Sequence, residues 1–222
     1  MKLASQLING EMELNETEIN VIVFENKELF RKICLAFEED TIDDMVVFSD
    51  NNTPFEFLKR GCFVSNPVNI GFESKKLNNK IYSYLAELSE TESQSCLLSA
   101  KAKLIEFAKS LATNCEFEID YNPEIDVSGL LKLLAFKVNK EGLSSAEQLI
   151  MYLKLVARYL KTDLFFIQNL HLFYSKEEIE GIYDDILLNQ LNLVILENYQ
   201  EKYVLMNEKY LIVDNDLCII DN

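Results

Sequence analysis

Residues 164–196 read LFFIQNLHLFYSKEEIEGIYDDILLNQLNLVIL, and this segment indicates the architecture of the whole chain. It holds two short runs that are apolar at every position, Leu164–Ile167 and Leu193–Leu196, which predict buried strands. Between them, Ser175 is followed three residues later by Glu178, a spacing typical of the N-terminus of a helix. Two fully apolar strands joined by a helix predict a parallel sheet that helices cover on both faces.

The flanking sequence extends this α/β pattern toward both ends of the chain. Ile19–Phe24 and Met45–Phe48 predict two further strands with a helix between them, and residues 144–160 predict a helix that opens with a second Ser/Glu pair. The C-terminal region predicts three short antiparallel edge strands, Tyr203–Met206, Tyr210–Val213 and Leu217–Ile220.

A change to helical spacing interrupts the α/β pattern after about residue 74. Two helices joined by the polar turn Ser89–Ser93 are expected first, and a third short helix is expected at about Val127–Ala135. We therefore predict an α/β head with a mainly parallel sheet flanked by helices, formed by residues 1–70 and 140–222. An α-helical domain of residues 71–139 is predicted to be inserted into it.

The charge of the chain is unevenly distributed. Its 21 basic and 37 acidic residues give a net charge of −16, which argues against nucleic acid or an anionic membrane as a partner. Residues 71–112 and 129–161 together carry +5, so the remainder carries −21. Because salt screens charges beyond about 8 to 10 Å, a local basic surface can still attract a polyanion.

Several classes of protein are disfavoured by missing signals. No apolar run approaches the roughly 18 to 20 residues of a membrane helix, and Met1–Gly10 does not resemble a signal peptide, so we expect a cytoplasmic protein without a membrane partner. With a single histidine, His171, and no G-x-S-x-G motif, a catalytic triad is not indicated.

The nearest approach to a phosphate-binding loop is Gly71–Lys76, which precedes a predicted helix. It lacks a second glycine and carries Glu73 where phosphate would lie. The neighbouring apolar strand ends in Gln168-Asn169 instead of the acid that would bind a metal. We expect no ATP turnover and no enzymatic activity; a nucleotide-dependent enzyme that requires Lys75 is the weaker alternative.

Acidic and basic residues form separate local groups. Residues 116–126 read EFEIDYNPEID, a loop rich in the oxygen ligands that Ca²⁺ prefers, although a solvated acidic loop explains it equally well. Basic residues gather at the start of the first inserted helix, around the third, and on one face of the helix 144–160.

Several segments, taken in order, resemble the short form of the type II-A CRISPR-associated Csn-two family of adaptation proteins. The resemblance spans most of the chain. It is carried by Phe63–Pro67 leading into Lys76–Leu88, Leu130–Val138, Arg158–Leu160, Tyr174–Glu178 and Leu193–Glu197.

This resemblance implies a head related to the ATPases of chromosome-maintenance proteins, with a degenerate P-loop, and a helical leg. It implies a homotetrameric ring that encloses double-stranded DNA, entered at DNA ends, and that is stabilised by calcium without hydrolysing ATP. The family acts in spacer acquisition beside the adaptation integrase and the RNA-guided nuclease.

A ring that reads no sequence contacts phosphates through Lys and Arg. If the chain forms such a ring, the position of the basic residues in the sequence predicts that its channel contains Lys75, Lys76, Lys80, Lys132, Lys137, Lys154 and Arg158. By the same reasoning, we expect calcium to lie near Glu118, Asp120, Glu124 and Asp126. The alternative, favoured by the net charge, is a protein-interaction adaptor without DNA affinity.

Overall fold

A computed structural model describes residues 1–5, 10–14, 17–200 and 205–221. The strands are β1 (Lys2–Ser5), β2 (Gly10–Glu13), β3 (Ile19–Phe24), β4 (Val46–Asp50), β5 (Thr53–Phe55), β6 (Gly61–Val64), β7 (Leu164–Gln168), β8 (Asn192–Glu197), β9 (Glu208–Val213) and β10 (Ile219–Asp221). The α-helices are α1 (Lys27–Glu38), α2 (Phe57–Arg60), α3 (Lys75–Thr91), α4 (Gln94–Asn114), α5 (Val127–Leu133), α6 (Ser145–Leu160), α7 (Leu170–Phe173) and α8 (Lys176–Leu188).

The larger sheet has the order β10-β9-β3-β8-β7-β6. Strands β9, β3, β8, β7 and β6 run parallel, and only β10 is antiparallel to its neighbour. All six residues of β3 are buried, as expected for a central strand covered on both faces. The predicted α/β fold with a mainly parallel sheet flanked by helices is confirmed.

Alternate residues of the strands face two different cores. Ile22, Phe24 and Phe166 belong to an apolar cluster with α1 and with the smaller sheet. Because side chains alternate along a strand, Leu193, Ile195 and Glu197 project from the opposite face, where α7 and α8 lie. Helix α6 packs against α8.

The strand predicted at Tyr210–Val213 is present, but its predicted role as an antiparallel edge strand is wrong. Strand β9 pairs in parallel with β3 and lies inside the sheet, and residues 210–213 are all buried. The run is short and carries a tyrosine, which hid an interior position. The neighbouring prediction at Tyr203–Met206 falls partly outside the described residues, and Leu205 and Met206 are not in a strand.

A second, antiparallel sheet of order β2-β1-β4-β5 was not expected from the sequence. The strand predicted at Met45–Phe48 belongs to this sheet as β4, and it pairs with β1 through Phe48 and Leu3. Only Leu3 of the four β1 residues is buried, so the strand contains no apolar run that the sequence could reveal. A strand that buries one residue in four gives a weak periodic signal.

Contacts divide the chain into two compact units, which we call the sheet unit (Met1–Phe72 with Lys140–Asn222) and the helical unit (Glu73–Asn139). In the helical unit, α3 packs against both α4 and α5. That this unit serves as an inserted leg with boundaries at 71 and 139 stays a prediction. Within the described residues, every helix is too short or too polar to cross a membrane.

Candidate functional site

The first turns of α3 carry three exposed lysines, Lys75, Lys76 and Lys80. The helix begins there because the Ser74 side chain accepts a hydrogen bond from the Leu77 N–H at 3.1 Å. The first turn contains no acidic residue. The positive end of a helix dipole disfavours cations, so three lysines here cost stability and create a strongly positive, anion-attracting surface.

Lys132 and Lys137 lie on and just beyond α5, in the same helical unit. The Tyr82 hydroxyl on α3 donates a hydrogen bond to the Phe136 carbonyl at 3.2 Å, which holds this segment against α3. Lys75 and Tyr82 are seven residues apart and share one side of α3. Lys137, the residue after Phe136, is therefore held near α3.

These five lysines have a common electrostatic property. Among the described residues, no carboxylate lies within ion-pairing distance of Lys75, Lys76, Lys80, Lys132 or Lys137. All five are exposed. Their charge is therefore available to an anion from solution.

The other two basic residues assigned to DNA, Lys154 and Arg158, lie on α6 in the sheet unit. The Lys154 ammonium forms an ion pair with Asp185 on α8. The Arg158 guanidinium lies 5.6 Å from the centre of the Tyr159 ring. The assigned set is thus distributed over both units, and Lys154 is already neutralised within its own chain.

The acidic loop that follows α4 is exposed, and its side chains bond mainly to their own backbone. Asp120 accepts from the Tyr121 N–H, while Asp126 caps α5 by accepting from the N–H groups of Ser128 and Gly129 at 3.2 and 2.8 Å. Within this described loop, no three acidic side chains are gathered as a metal would require. The oxygen donors suit calcium, but their described arrangement does not form a cage.

The candidate phosphate loop does not need its glycine. Gly71 has no positive φ, and an added Cβ would meet no atom within 4 Å. With Ser65 and Asn66 it lines a cavity of about 160 Å³, below the roughly 300 to 1,000 Å³ typical of ligand pockets.

In proteins with a parallel sheet, phosphate usually binds where a central strand meets the helix that follows it. In this chain that junction is Glu25-Asn26, between β3 and α1. Asn26 uses its side chain to cap α1 through the N–H groups of Glu28 and Leu29. The helix N-terminus is therefore already satisfied by the protein, and Glu25 adds a negative charge.

A buried polar cluster, which sequence reasoning missed, surrounds His171. Its Nδ1 lies 2.9 Å from Glu197 Oε1 and its Nε2 lies 2.8 Å from Glu208 Oε1. The Tyr183 hydroxyl donates to the same Glu208 oxygen at 2.7 Å. Glu197 aligns with Val23 and Glu208 with Ile19 of β3, so both carboxylates project from one face of the sheet.

The cluster favours a charged histidine. Burial alone lowers the pKa of His171, but hydrogen bonds to Glu197 and Glu208 and their charges outweigh it and raise the pKa to about 9. Burial raises the pKa of Glu208, but bonds from His171 and Tyr183 outweigh this and lower it. Both nitrogens of the His171 imidazole face carboxylates. Both can donate hydrogen bonds only when the imidazole is protonated.

This cluster binds the chain together and is closed to ligands, since the side chains of His171 and Glu208 have no solvent exposure. The sequence carried one signal for it, the acid Glu197 directly after the apolar run Leu193–Leu196. Nothing local connected that acid to a histidine 26 residues earlier.

The chain is similar to known proteins at two levels. A solved structure described as a "Putative ABC transporter (ATP-binding protein)" from Pyrococcus furiosus is 7% identical, covers 95% of this chain and 97% of its own, and has a TM-score of 0.42. Similarity that low says nothing about function.

No protein with a curated description matches the sequence. The sequence model of the CRISPR-associated protein family (Cas_Csn2) matches residues 37–217, which include the parallel strands β6 to β9, helices α3 to α8 and all eleven residues assigned above. The match covers most of the chain, and the protein therefore belongs to the CRISPR-associated Cas_Csn2 family.

Proposed function

We propose that this protein acts in spacer acquisition as a homotetrameric ring that binds double-stranded DNA ends without sequence specificity. Membership of the Cas_Csn2 family supports a role in a CRISPR system. The observation that carries the DNA-binding proposal is the group of five unpaired, exposed lysines in the helical unit.

The five lysines fit a partner that presents phosphates. Lys75, Lys76 and Lys80 stand where the α3 backbone N–H groups also favour anions. Point charges on flexible side chains suit backbone phosphates and carry no base readout. We leave Lys154 and Arg158 out of the DNA surface, because Lys154 is paired with Asp185 and the Arg158 guanidinium lies beside the Tyr159 ring.

Self-association is supported by an apolar stripe on α4. Leu104, Phe107 and Leu111 share one side of the helix, and Phe107 is 61% exposed. The 21-residue helix α4 has no fully buried residue, although α3 packs along it. A helix that exposes such an apolar stripe is typically covered in an assembly. We call Leu104, Phe107 and Leu111 the α4 surface and propose it as one subunit interface.

Calcium is part of the proposal as a structural ion held by the acidic loop. Glu118, Asp120 and Glu124 are exposed, and Asp126 keeps its capping bonds to α5. Binding would require the loop to close around the ion, since the described residues do not gather three such groups. We propose no ATP turnover and no other catalysis.

A gel shift with one DNA in three forms tests the function. The forms are linear, covalently closed circular, and linear with both ends blocked by a bulky group, each with calcium and with chelator. Binding of the free-ended form alone, weakened by chelator, supports a ring entered from the end. Equal binding of all three forms contradicts threading and indicates an open basic surface.

The second candidate is an adaptor that binds the adaptation integrase or the RNA-guided nuclease without touching DNA. The net charge of −16 favours it, because long-range repulsion opposes a polyanion. It predicts no shift of any DNA form, even at low salt.

A further inference from the structure

Residues 132–137 read KLLAFK, an exposed apolar run with a lysine at each end, and we call them the KLLAFK segment. All six residues are exposed, and the exposed fractions of Leu133, Leu134 and Phe136 are 81%, 61% and 48%. Single exposed leucines are ordinary on a protein surface, but a continuous exposed apolar run indicates a binding surface. The three apolar side chains therefore indicate a partner.

The fold holds this segment in one conformation. Helix α5 ends at Leu133, and the N–H of Ala135 donates a hydrogen bond to the Lys132 carbonyl at 3.1 Å. Ala135 has a φ of 50°, the left-handed conformation that turns the chain sharply after a helix. The Tyr82 hydroxyl of α3 donates to the Phe136 carbonyl at 3.2 Å. Because the turn is already ordered, a partner that binds it loses little affinity to ordering.

The charges around the segment favour a partner that carries phosphates. Lys132 and Lys137 stand at its two ends, and among the described residues no carboxylate lies within ion-pairing distance of either. The segment is held against α3, whose first turns carry Lys75, Lys76 and Lys80. Apolar side chains between unpaired cations match a ligand that is apolar in the middle and anionic at its edges.

The end of a DNA duplex has this distribution of apolar and charged groups. Its terminal base pair has one uncovered aromatic face, and a phosphate backbone runs along each side of that face. Phosphates occur along the whole duplex, so lysines alone cannot distinguish an end from the interior. Proteins bind the faces of bases by stacking aromatic side chains on them and by inserting Leu or Phe between base steps.

We propose that Leu133, Leu134 and Phe136 pack against the terminal base pair of double-stranded DNA while Lys132 and Lys137 contact the phosphates beside it. This inference rests on the proposed binding of DNA ends and deepens it, because it adds a direct contact that recognises the end. A ring that is only threaded needs an end for entry and makes no contact with a base-pair face. The contact is independent of sequence, since every base has an aromatic face.

Two duplexes of one sequence separate recognition of the terminal base pair from entry into a ring. One duplex has blunt ends, and in the other a short hairpin loop closes each end. The loop covers the terminal base pair but is hardly wider than the duplex, so threading remains possible. In titrations followed by fluorescence anisotropy, we expect the wild type to bind the blunt duplex on the order of tenfold more tightly than the closed duplex.

Two variants assign this preference to the apolar side chains. Leu133→Ser/Leu134→Ser/Phe136→Ser should lower the affinity for the blunt duplex to that for the closed duplex, and should leave binding of the closed duplex unchanged. Lys132→Gln/Lys137→Gln should instead weaken binding of both duplexes equally, because both carry phosphates. The serine variant changes only exposed side chains, so its unfolding temperature should match that of the wild type.

The matched control is Phe117→Ser/Ile119→Ser. These side chains are 75% and 50% exposed in the same helical unit, but the residues beside them are Glu116, Glu118 and Asp120. An apolar surface among carboxylates repels phosphates, so the control should keep the full preference for the blunt duplex. Loss of the preference in the control would attribute the effect to a general loss of apolar surface and contradict the proposal.

A fluorescent base measures the contact directly. The adenine analogue aminopurine changes its emission when its stacking changes. We expect a change when the wild type binds a blunt duplex with aminopurine in the terminal base pair, and none when the analogue lies at the centre of the duplex. The serine variant should give no change at either position.

The remaining outcomes separate this inference from the proposed function. Equal binding of the blunt and closed duplexes by the wild type, or a serine variant that keeps the preference, overturns the contact with the terminal base pair and leaves DNA binding by the ring intact. A serine variant that sediments with fewer chains than the wild type places the segment in a contact between copies and also overturns the inference. A wild type that binds no DNA overturns both.

Discussion

His171 Nε2 lies 2.8 Å from Glu208 Oε1, and this contact joins the short helix α7 to the first residue of the interior strand β9. Glu197 at the end of β8 holds the other ring nitrogen. The cation thus links two strands that flank β3 on its two sides. The cluster has the geometry of a structural support for the sheet.

Replacing the histidine should therefore destabilise the fold strongly. His171→Gln leaves two buried carboxylates without their cation, and we expect the free energy of unfolding in urea to fall by about 3 to 5 kcal/mol. Tyr183→Phe removes one hydrogen bond from Glu208 and should cost less, about 1 to 3 kcal/mol. Equal losses in the two variants would contradict a charged histidine.

The same cluster predicts how stability depends on pH. The folded pKa of His171 is raised to about 9, so its contribution is complete below its ordinary pKa of 6.5 and is lost as pH rises through 9. The pKa of Glu208 is lowered, so its contribution is present above its ordinary pKa of 4.5 and is lost as pH falls. The stability difference between wild type and His171→Gln should be largest between pH 4.5 and 6.5.

Urea unfolding at a series of pH values measures that difference. Subtracting the free energy of unfolding of the variant from that of the wild type removes the pH dependence of the groups that both proteins share. We expect it to shrink by a few kcal/mol between pH 6.5 and pH 9.5. A difference that grows with pH would mean that the histidine is neutral in the folded protein.

The sequence predicted the parallel sheet well and the buried polar cluster not at all, for physical reasons. Leu164–Ile167 and Leu193–Leu196 are apolar at every position because helices cover both faces, and that signal is local. His171, Glu197 and Glu208 meet only after the chain has folded. Their side chains carry no pattern in sequence.

The candidate DNA residues show the same limit. Spacing predicted that Lys154 and Arg158 share a face of one helix, and both lie on α6. Spacing could not show that Asp185, 31 residues beyond Lys154, neutralises it. Charge availability depends on tertiary partners, which a linear count of lysines does not include.

Removing the α3 lysines should weaken DNA binding and its salt dependence together. For Lys75→Gln/Lys76→Gln/Lys80→Gln, we expect the slope of log affinity against log salt to fall by roughly one for each DNA phosphate that the variant no longer neutralises. Affinity should fall equally on unrelated DNA sequences, because phosphates carry no sequence information. Titration by fluorescence anisotropy at four salt concentrations measures both effects.

The matched control removes three lysines from α4 of the same unit, Lys101, Lys103 and Lys109. It changes the net charge of the protein by the same amount but leaves the N-terminus of α3 intact. An equal loss of affinity in the control would show that net charge alone explains the effect. It would contradict a local DNA-binding surface at the N-terminus of α3.

Calcium binding should depend on three loop carboxylates that have no capping role. We expect Glu118→Gln/Asp120→Asn/Glu124→Gln to abolish the heat of calcium binding in titration calorimetry while α5 remains folded. The variant Asp126→Asn keeps a side-chain oxygen that can cap α5 but removes the negative charge, so it tests the contribution of that charge to calcium binding. Calcium heat that persists in the triple variant would place the ion elsewhere.

The α4 surface should control assembly without controlling the fold of the single chain. Leu104→Ser/Phe107→Ser/Leu111→Ser changes residues that are at least 39% exposed, so the free energy of unfolding should change little, whereas the four-chain species should dissociate. Leu98 is 58% exposed and lies on the side of α4 opposite Phe107, so Leu98→Ser provides the control. Sedimentation equilibrium should show unchanged mass for the control and a mass of two chains or fewer for the triple variant. Intact tetramers of the triple variant would show that another surface holds the copies together.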